Sequence, residues 1–587
     1  MRRITFLSLH VEDSPEAVPL GAASVAAALR GAGFEPVILE GLASEPAGAL
    51  AARILASNTE AVGLSVYSWN RLRAAEVAAL LRSRSPCLLL FAGGPEATAD
   101  PEGLLAAAPL DFLVRGEGET ATRLALEAIA AAGPGSSADH DAAAGAEPGC
   151  ADRPGGARAL SAAAEAALAA IAGIALPGRA AASRRAPPED LSGLPSPWLA
   201  GLVDPRRRGG ALWELARGCP FHCAYCYEGK GESGVRRFPR GRVEAELGIF
   251  AAAARSGGET LQVFVLDPTF NADRARAREL LALFGKRGGG IHWKFEARAE
   301  FIDRDLARRF ADLDCSLQIG LQSAVPEVSG RVGRRLDPAD FSRRIGYLNE
   351  AGAVFGLDLI YGLPGDDPAG FARSVDFALG LLPNHLDIFP LAVLPGTELA
   401  DRAEEYGLSH SREPPYLVAS TPGFPPEAMA RASRLAAACD LFYSRGRAVS
   451  WFLQALRPLK ARPSAFLSRF AESLAANGPD GAAGAAGPLG VEALQLAFLE
   501  GEYRAKELER LLPALRDVVR FNGAWGRALA EGERTELELS YDPDEVLGPA
   551  ALDLAAFARA ARPSPARVAV LPAPGGARLE RLKPRRR

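Results

Sequence analysis

The chain has 587 residues, enough for roughly three or four domains at ~150 residues each. Its 67 Lys and Arg against 71 Asp and Glu give a formal net charge of -4, which excludes a global basic field for nucleic acid or an anionic membrane surface. No stretch approaches ~20 uninterrupted apolar residues, the N-terminal apolar run is too short for a secretory leader, and 7 cysteines in so long a chain are not a secreted disulfide framework, so a cytoplasmic location is expected.

Residues 4–9, "ITFLSL", read as a buried strand, and "LGAASVAAALRGAGFEPVIL" as a helix, a stop and a second strand. "AVGLSVYSW", "CLLLFAGG" and "DFLVRGEGE" continue as strands, with the helical "RLRAAEVAALLRSR" between the first two. This alternation predicts a doubly wound, Rossmann-like α/β domain over 1–135, whose ligand loops lie beyond the carboxyl ends of the strands. The loops are 10–19, 65–70, 93–98 and 115–119. From 136 to 204 the composition turns to Ala, Gly, Pro and Ser and reads as a linker or insertion.

After 205 the alternation resumes. Helices near 242–256 and 273–286 separate "LQVFVLD" and "IHWKFEAR", and further units end in "CSLQIGLQS", "VFGLDLIYGLPG" and "LDIFPLAVLPG". About six strand-helix units over 205–420 predict a partial barrel with its chemistry at the carboxyl ends of the strands. Residues 421–587 read as mainly helical, with a β-rich piece in "RTELELSYD" and "ARVAVLP". The tail "RLKPRRR" reads as a solvated end.

The densest chemistry is "ARGCPFHCAYCYEGKG", with Cys219, Cys223 and Cys226 inside eight residues. Thiolates suit zinc or iron-sulfur clusters, but structural zinc takes four closed ligands. Three thiolates leave one corner of an iron cluster open to bind and orient a substrate. A zinc loop remains an alternative from the residues alone. Cys87, Cys150, Cys315 and Cys439 are scattered and read as small buried residues.

The Cys-x-x-x-Cys-x-x-Cys spacing with Tyr225 before the last cysteine resembles the signature of the radical S-adenosylmethionine (SAM) superfamily. The resemblance implies a 4Fe-4S cluster on Cys219, Cys223 and Cys226, with SAM chelating the fourth iron and yielding a 5'-deoxyadenosyl radical. It implies that Tyr225 shields cofactor and cluster. In "VLDPTFN", Asp267 and Thr269 would meet the amino group of the methionine moiety. "FEARAEF" offers Glu296 and Arg298 to the ribose or carboxylate, since arginine forks onto carboxylates. "IGLQSA" offers Gln322 and Ser323 to sugar hydroxyls, and Gly362, Leu363, Pro364 and Gly365 in "LIYGLPG" bring backbone to the adenine.

A doubly wound domain ahead of such a barrel resembles the cobalamin-binding domain of the cobalamin-dependent radical SAM class. "VYSWN", "DPTFN" and the helical tail are similar to a bacterial subgroup whose C-terminal domain has no assigned function. Cobalamin contacts are expected from Ser65, Tyr67, Ser68, Trp69 and Asn70 in the third strand's loop and from Gly93, Gly94 and Pro95 in the fourth. Gly116, Glu117, Gly118 and Glu119 complete the set. The chain departs from Asp-x-His-x-x-Gly: His10 has Ser8 before it and Asp13 after it, and His140 fails too. A corrinoid, if bound, would therefore lack that lower-face histidine; the alternative is a vestigial scaffold that binds none.

The resemblance implies methylation at an unactivated carbon of an unknown substrate, with cob(I)alamin taking a methyl from one SAM and the radical from a second opening the acceptor carbon. A radical rearrangement or ring contraction is the alternative within enzymes, and a corrinoid or metal sensor the alternative outside them. An electron donor such as flavodoxin or ferredoxin is the expected partner, with no membrane and no specific nucleic acid.

Overall fold

The computed structural model describes residues 2–132, 160–180, 183–229, 234–476, 487–573 and 576–583. The N-terminal part runs β1 (Arg3–His10), α1 (Leu20–Gly31), β2 (Glu35–Leu42), α2 (Ala47–Leu55), β3 (Ala61–Ser65), α3 (Arg71–Arg84) and β4 (Leu89–Gly93). It continues through α4 (Pro95–Ala99), α5 (Pro101–Ala107), β5 (Phe112–Val114), α6 (Gly118–Ala132), α7 (Ala162–Ala169) and β6 (Ile174–Ala175). The sheet order is β2-β1-β3-β4-β5-β6, parallel except for β6.

Continuous apolar runs explain why this sheet is covered twice. Along β1, Leu7 and Leu9 join Val62 and Leu90 under α2 and α3, while Ile4 and Phe6 join Phe91 and Phe112 under α1 and α6. Residues 162–175 lie within the stretch whose composition suggests a linker or insertion, yet they form α7 and β6. Leu160, Ala164, Leu168, Ile174 and Leu176 are buried beside α6, an apolar face diluted in the sequence by exposed alanines. Residues 133–159, which include His140 and Cys150, lie outside the described residues.

The second part runs β7 (Gly210–Trp213), β8 (Ala216–Arg217), β9 (Arg236–Arg237), α8 (Arg240–Ser256), β10 (Leu261–Val265), α9 (Arg274–Arg287) and β11 (Ile291–Ala297). Then come α10 (Arg304–Ala311), β12 (Cys315–Gln322), α11 (Pro326–Arg331), α12 (Pro338–Ala351), β13 (Val354–Tyr361), α13 (Pro368–Gly380) and β14 (His385–Pro390). The order β7-β10-β11-β12-β13-β14 is wholly parallel, the open six-stranded arrangement of a partial barrel. Burial alternates along its strands. Ile291, Trp293 and Phe295 face the helices, where Phe284 of α9 stacks on Trp293 at 4.5 Å, and His292, Lys294 and Glu296 face the lumen. Asp273, Asp303, Asp337 and Asp367 cap α9, α10, α12 and α13, each side chain accepting a backbone N–H at the turn that ends a strand-helix connection.

Helix Pro426–Cys439 runs into a π-turn at Asp440–Ser444 beside β14. The Ser444 hydroxyl accepts from Leu386 N–H at 3.0 Å and donates to its carbonyl at 3.3 Å, occupying the sheet's last edge. Strands Thr535–Leu539, Ala566–Ala573 and Gly576–Arg581 form an antiparallel sheet among the final helices. Cys315 and Cys439 are buried as expected, whereas Cys87 is only half-buried. Among the described residues no helix is long and apolar enough to cross a membrane.

Several polar junctions dock the first sheet on the barrel. Arg208 donates to Asp13 at 2.6 Å and to Glu40 at 2.6 Å, and Lys294 reaches Glu16. Arg71 binds Glu96 at 2.7 Å and Asp100 at 2.5 Å, and Tyr416, beyond β14, donates to the same Glu96 at 2.6 Å.

Candidate active site

The cysteines lie in the loop after β8. Cys219 is buried, Cys223 and Cys226 are half-buried, and the three are close enough for their charges to interact. Cys226 N–H donates to Cys223 carbonyl at 3.0 Å. From outside, Ala224 is held by its N–H to Val332 carbonyl at 3.0 Å and by Leu399 N–H to its own carbonyl at 2.8 Å. Burial pushes the Cys226 thiol up to about 11, so deprotonation needs a cation beside it. Among the described residues no three His, Cys, Asp or Glu side chains converge as a single metal ion requires. A cluster takes each thiolate on a different iron, and three thiolates in one loop suit that donor set.

The residues expected around SAM divide into two groups. Gln322 ends β12 at φ 61°, a left-handed backbone, with its Oε1 buried and without a hydrogen-bond partner. Such an orphaned acceptor suits a sugar hydroxyl. Glu296 is exposed to the lumen yet closely surrounded, and burial, with Asp358 and Glu228 nearby, pushes its carboxyl up to about 7. Thr269 stands against the Cys219 thiol. Gly362, Leu363 and Pro364 are buried, and Gly365 passes beside Arg331.

Three expected contacts are otherwise engaged. Asp267 accepts from Leu215 N–H at 3.0 Å and from Arg276 at 3.2 Å, bracing the strand that leads to the cysteines. Ser323 is buried, its hydroxyl accepting from Val325 N–H at 3.2 Å, as a turn residue would. Arg298 spends its fork on Glu300, at 3.0 and 2.6 Å, with its guanidinium 3.8 Å from the Phe221 ring centre. Arg334 escaped the sequence reading. Arg334 is buried, donates to Gly320 carbonyl and lies by Tyr225 and Cys223, but nothing in "RVGRRLD" distinguishes it from its exposed neighbour Arg335.

Facing the barrel, a cavity of ≈ 580 Å³ opens between α1 and the carboxyl ends of the first sheet. Ser65, Tyr67, Trp69, Gly93, Gly94, Gly116, Glu117, Gly118 and Glu119 line it, as does His10. Pro95 lies in a neighbouring cavity of ≈ 400 Å³. Ser68 lines neither, and Asn70 is a buried brace, accepting from Tyr67 N–H at 2.8 Å and donating to Leu9 and Ser65 carbonyls. Glycines at the turns after β4 and β5 leave part of its rim without side chains. At Gly94, φ 111°, an added Cβ would lie 2.6 Å from Val66 carbonyl, and at Gly63 it would meet the Phe6 and Phe91 rings at 2.7 and 2.8 Å. His10 is committed elsewhere, its Nε2 lying 3.0 Å from Glu40. Trp69, half-exposed and stacked on Tyr67 at 4.3 Å, presents a bare aromatic face instead.

The two cavities meet. Gly94, Gly116, Glu117, Glu214, Arg217 and Leu266 line both, and the ≈ 400 Å³ cavity extends to Gly218 and Tyr227 on either side of the cysteines.

The B12 binding domain family matches residues 12–126, and the Radical SAM superfamily matches 213–378. The cobalamin-dependent radical SAM methyltransferase TokK of Streptomyces tokunonensis is 29% identical over 372 residues, 60% of this chain and 49% of that protein. A 2-(S-pantetheinyl)-carbapenam-3-carboxylate methyltransferase of Streptantibioticus cattleyicolor is 29% identical over 391 residues, 63% of this chain and 52% of that one. The matches thus span about half the length of these relatives. The solved structure of the radical SAM methyltransferase TsrM from Kitasatospora setae, with cobalamin and a [4Fe-4S] cluster bound, shares the fold at a TM-score of 0.53 and 17% identity, over 73% of this chain and 85% of that chain.

A radical SAM domain takes a 4Fe-4S cluster and SAM, and a B12 binding domain takes cobalamin. The cysteine loop, the orphaned Gln322 oxygen and the glycine-walled cavity fit those three groups. The chain carries a B12 binding domain over residues 12–126 and, after it, a Radical SAM domain over residues 213–378.

Proposed function

We propose that the protein is a cobalamin-dependent radical SAM methyltransferase acting at an unactivated carbon of an unknown substrate. The observation that carries this reading is the wall shared by the two cavities. A corrinoid held at Gly94 and Gly116 would lie beside a wall that continues to Gly218 and Tyr227 on either side of the cysteines. The methyltransferase activities of TokK and of the Streptantibioticus cattleyicolor relative described above support it.

When bound, the cluster supplies the electron that cleaves SAM, and cobalamin supplies a carrier for the methyl group. The chain's own residues bind and orient. Cys219, Cys223 and Cys226 hold the iron and leave one corner open. Tyr225 screens that corner, and Gln322 accepts from a ribose hydroxyl. Glu296 lines the lumen beneath, where Gln318 donates to Asp387 at 2.9 Å and His385 Nε2 lies 2.7 Å from Gln318. On the other side, the stacked Tyr67 and Trp69 would present an aromatic surface to a bound corrinoid, while His10 is held by Glu40. The division at 135, 204 and 420 belongs to the same proposal, as do a cytoplasmic location and an acidic one-electron carrier of the flavodoxin or ferredoxin kind.

Anaerobic purification followed by iron and cobalt analysis, then incubation with SAM and titanium(III) citrate, tests the reading. Methyl transfer requires both S-adenosylhomocysteine and 5'-deoxyadenosine, and methylated product in a screen of acceptors. Release of 5'-deoxyadenosine alone, with cobalt bound, would point to rearrangement chemistry. Iron-free protein with zinc would overturn the proposal.

A further inference from the structure

We propose that Arg217 is a positioning residue that fixes the distance between the corrinoid cradle and the cysteine loop. The inference rests on the corrinoid reading above. Arg217 ends β8, two residues before Cys219. Its guanidinium donates to Glu119 at 2.6 Å and to Glu117 at 3.2 Å, and twice to Glu214 at 3.0 Å. Glu117 lies in the loop between β5 and α6 and Glu119 in the first turn of α6, beside the other sheet. Arg236, directly opposite Arg217 in the β8–β9 pair, binds the same Glu117. Two guanidiniums from the paired strands β8 and β9 therefore grip the acidic start of α6 in the cobalamin-type domain.

Three physical points make this a spacing device and not a general fastener. Charges held out of water contribute little net stability once their desolvation is counted, but a planar guanidinium fork dictates geometry. Glu117, Glu214 and Arg217 are themselves wall residues of both cavities, so any movement of the fork moves the boundary between the two cofactor sites. Domain docking does not depend on it, because the Arg208 and Arg71 junctions lie elsewhere on the interface.

The test compares wild type with Arg217→Gln and Arg217→Lys as anaerobic holoprotein. At partial reduction, with cobalt(II) and the reduced cluster both paramagnetic, pulsed electron paramagnetic resonance reads the cobalt-to-cluster distance distribution. Arg217→Gln is expected to keep iron and cobalt but to broaden that distribution. Its S-adenosylhomocysteine release should fall on the order of 10²-fold, as for a small misplacement of reacting centres. Arg217→Lys should recover part of both. Full occupancy with an unchanged distribution would overturn the proposal. Should Arg217→Gln lose iron or cobalt, Glu119→Gln makes the same comparison from the other sheet without touching the cysteine strand, and an unchanged distribution there overturns it equally. Wild-type protein that takes up no cobalt would sink the corrinoid reading itself, a result separate from cobalt that binds at an unaltered distance.

Discussion

The two six-stranded sheets are built from the same strand-helix repeat, yet one is a slab and the other a trough. In the first, strands such as β1 and β4 are buried on both faces, and ligand space exists only beyond the strand ends. In the second, every other residue of β10, β11 and β12 leaves the core, which gives a lumen walled by Lys294, Glu296, Gln318 and Asp358. The slab can hold a large rigid group by its rim, and the trough can surround a smaller one. Joining them at Glu117, Glu214 and Arg217 sets two kinds of site against one another.

The largest expected break falls on the trough alone. Replacing Cys219, Cys223 or Cys226 by Ala should abolish cluster iron and 5'-deoxyadenosine release while cobalt uptake by the slab persists, as metal analysis on one sample would reveal. Next comes packing. Phe284→Ala removes a fully buried ring from the stack on Trp293 and should cost about 3–5 kcal/mol in urea unfolding.

A pH effect of similar size is expected at the turn after β13. Asp366 is buried with Oδ2 unpartnered, and burial pushes its carboxyl up to about 6 from an ordinary 3.8. The folded chain keeps this proton where the unfolded chain has released it. Stability should therefore fall as pH rises from about 4 to about 6, by on the order of 3 kcal/mol, and stay level above. Asp366→Asn should flatten that interval relative to wild type in urea titrations.

The smallest effect sharpens the slab. Gly94→Ala forces a side chain into a left-handed backbone beside Val66 carbonyl and should cost about 1–3 kcal/mol, read as weaker cobalt retention with iron content unchanged.

The slab-and-trough distinction was legible in the chain before any coordinates. "CLLLFAGG" is apolar throughout, whereas "IHWKFEAR" alternates, and that difference is the difference in burial. The cysteine loop was equally plain because its spacing is local. Residues whose meaning depends on distant partners were not. Asp267 looked like a ligand but braces Leu215 and Arg276, and Ser323 and Asn70 likewise serve their own turns. Arg217 sat unnoticed beside the cysteines because Glu117 and Glu119 are about a hundred positions away in sequence. The segment after 160 was misleading for another reason: alanine-rich composition lowers apparent hydrophobicity even where Leu168 and Ile174 seal a core.

The hydroxyl of Ser444 that occupies both backbone groups of Leu386 bears on how the protein can be cut for study. A shortened version ending after the barrel would bare a parallel strand margin with unmet donors and acceptors, an invitation to self-association into insoluble material. The segment that follows the barrel thus covers its last strand at Leu386.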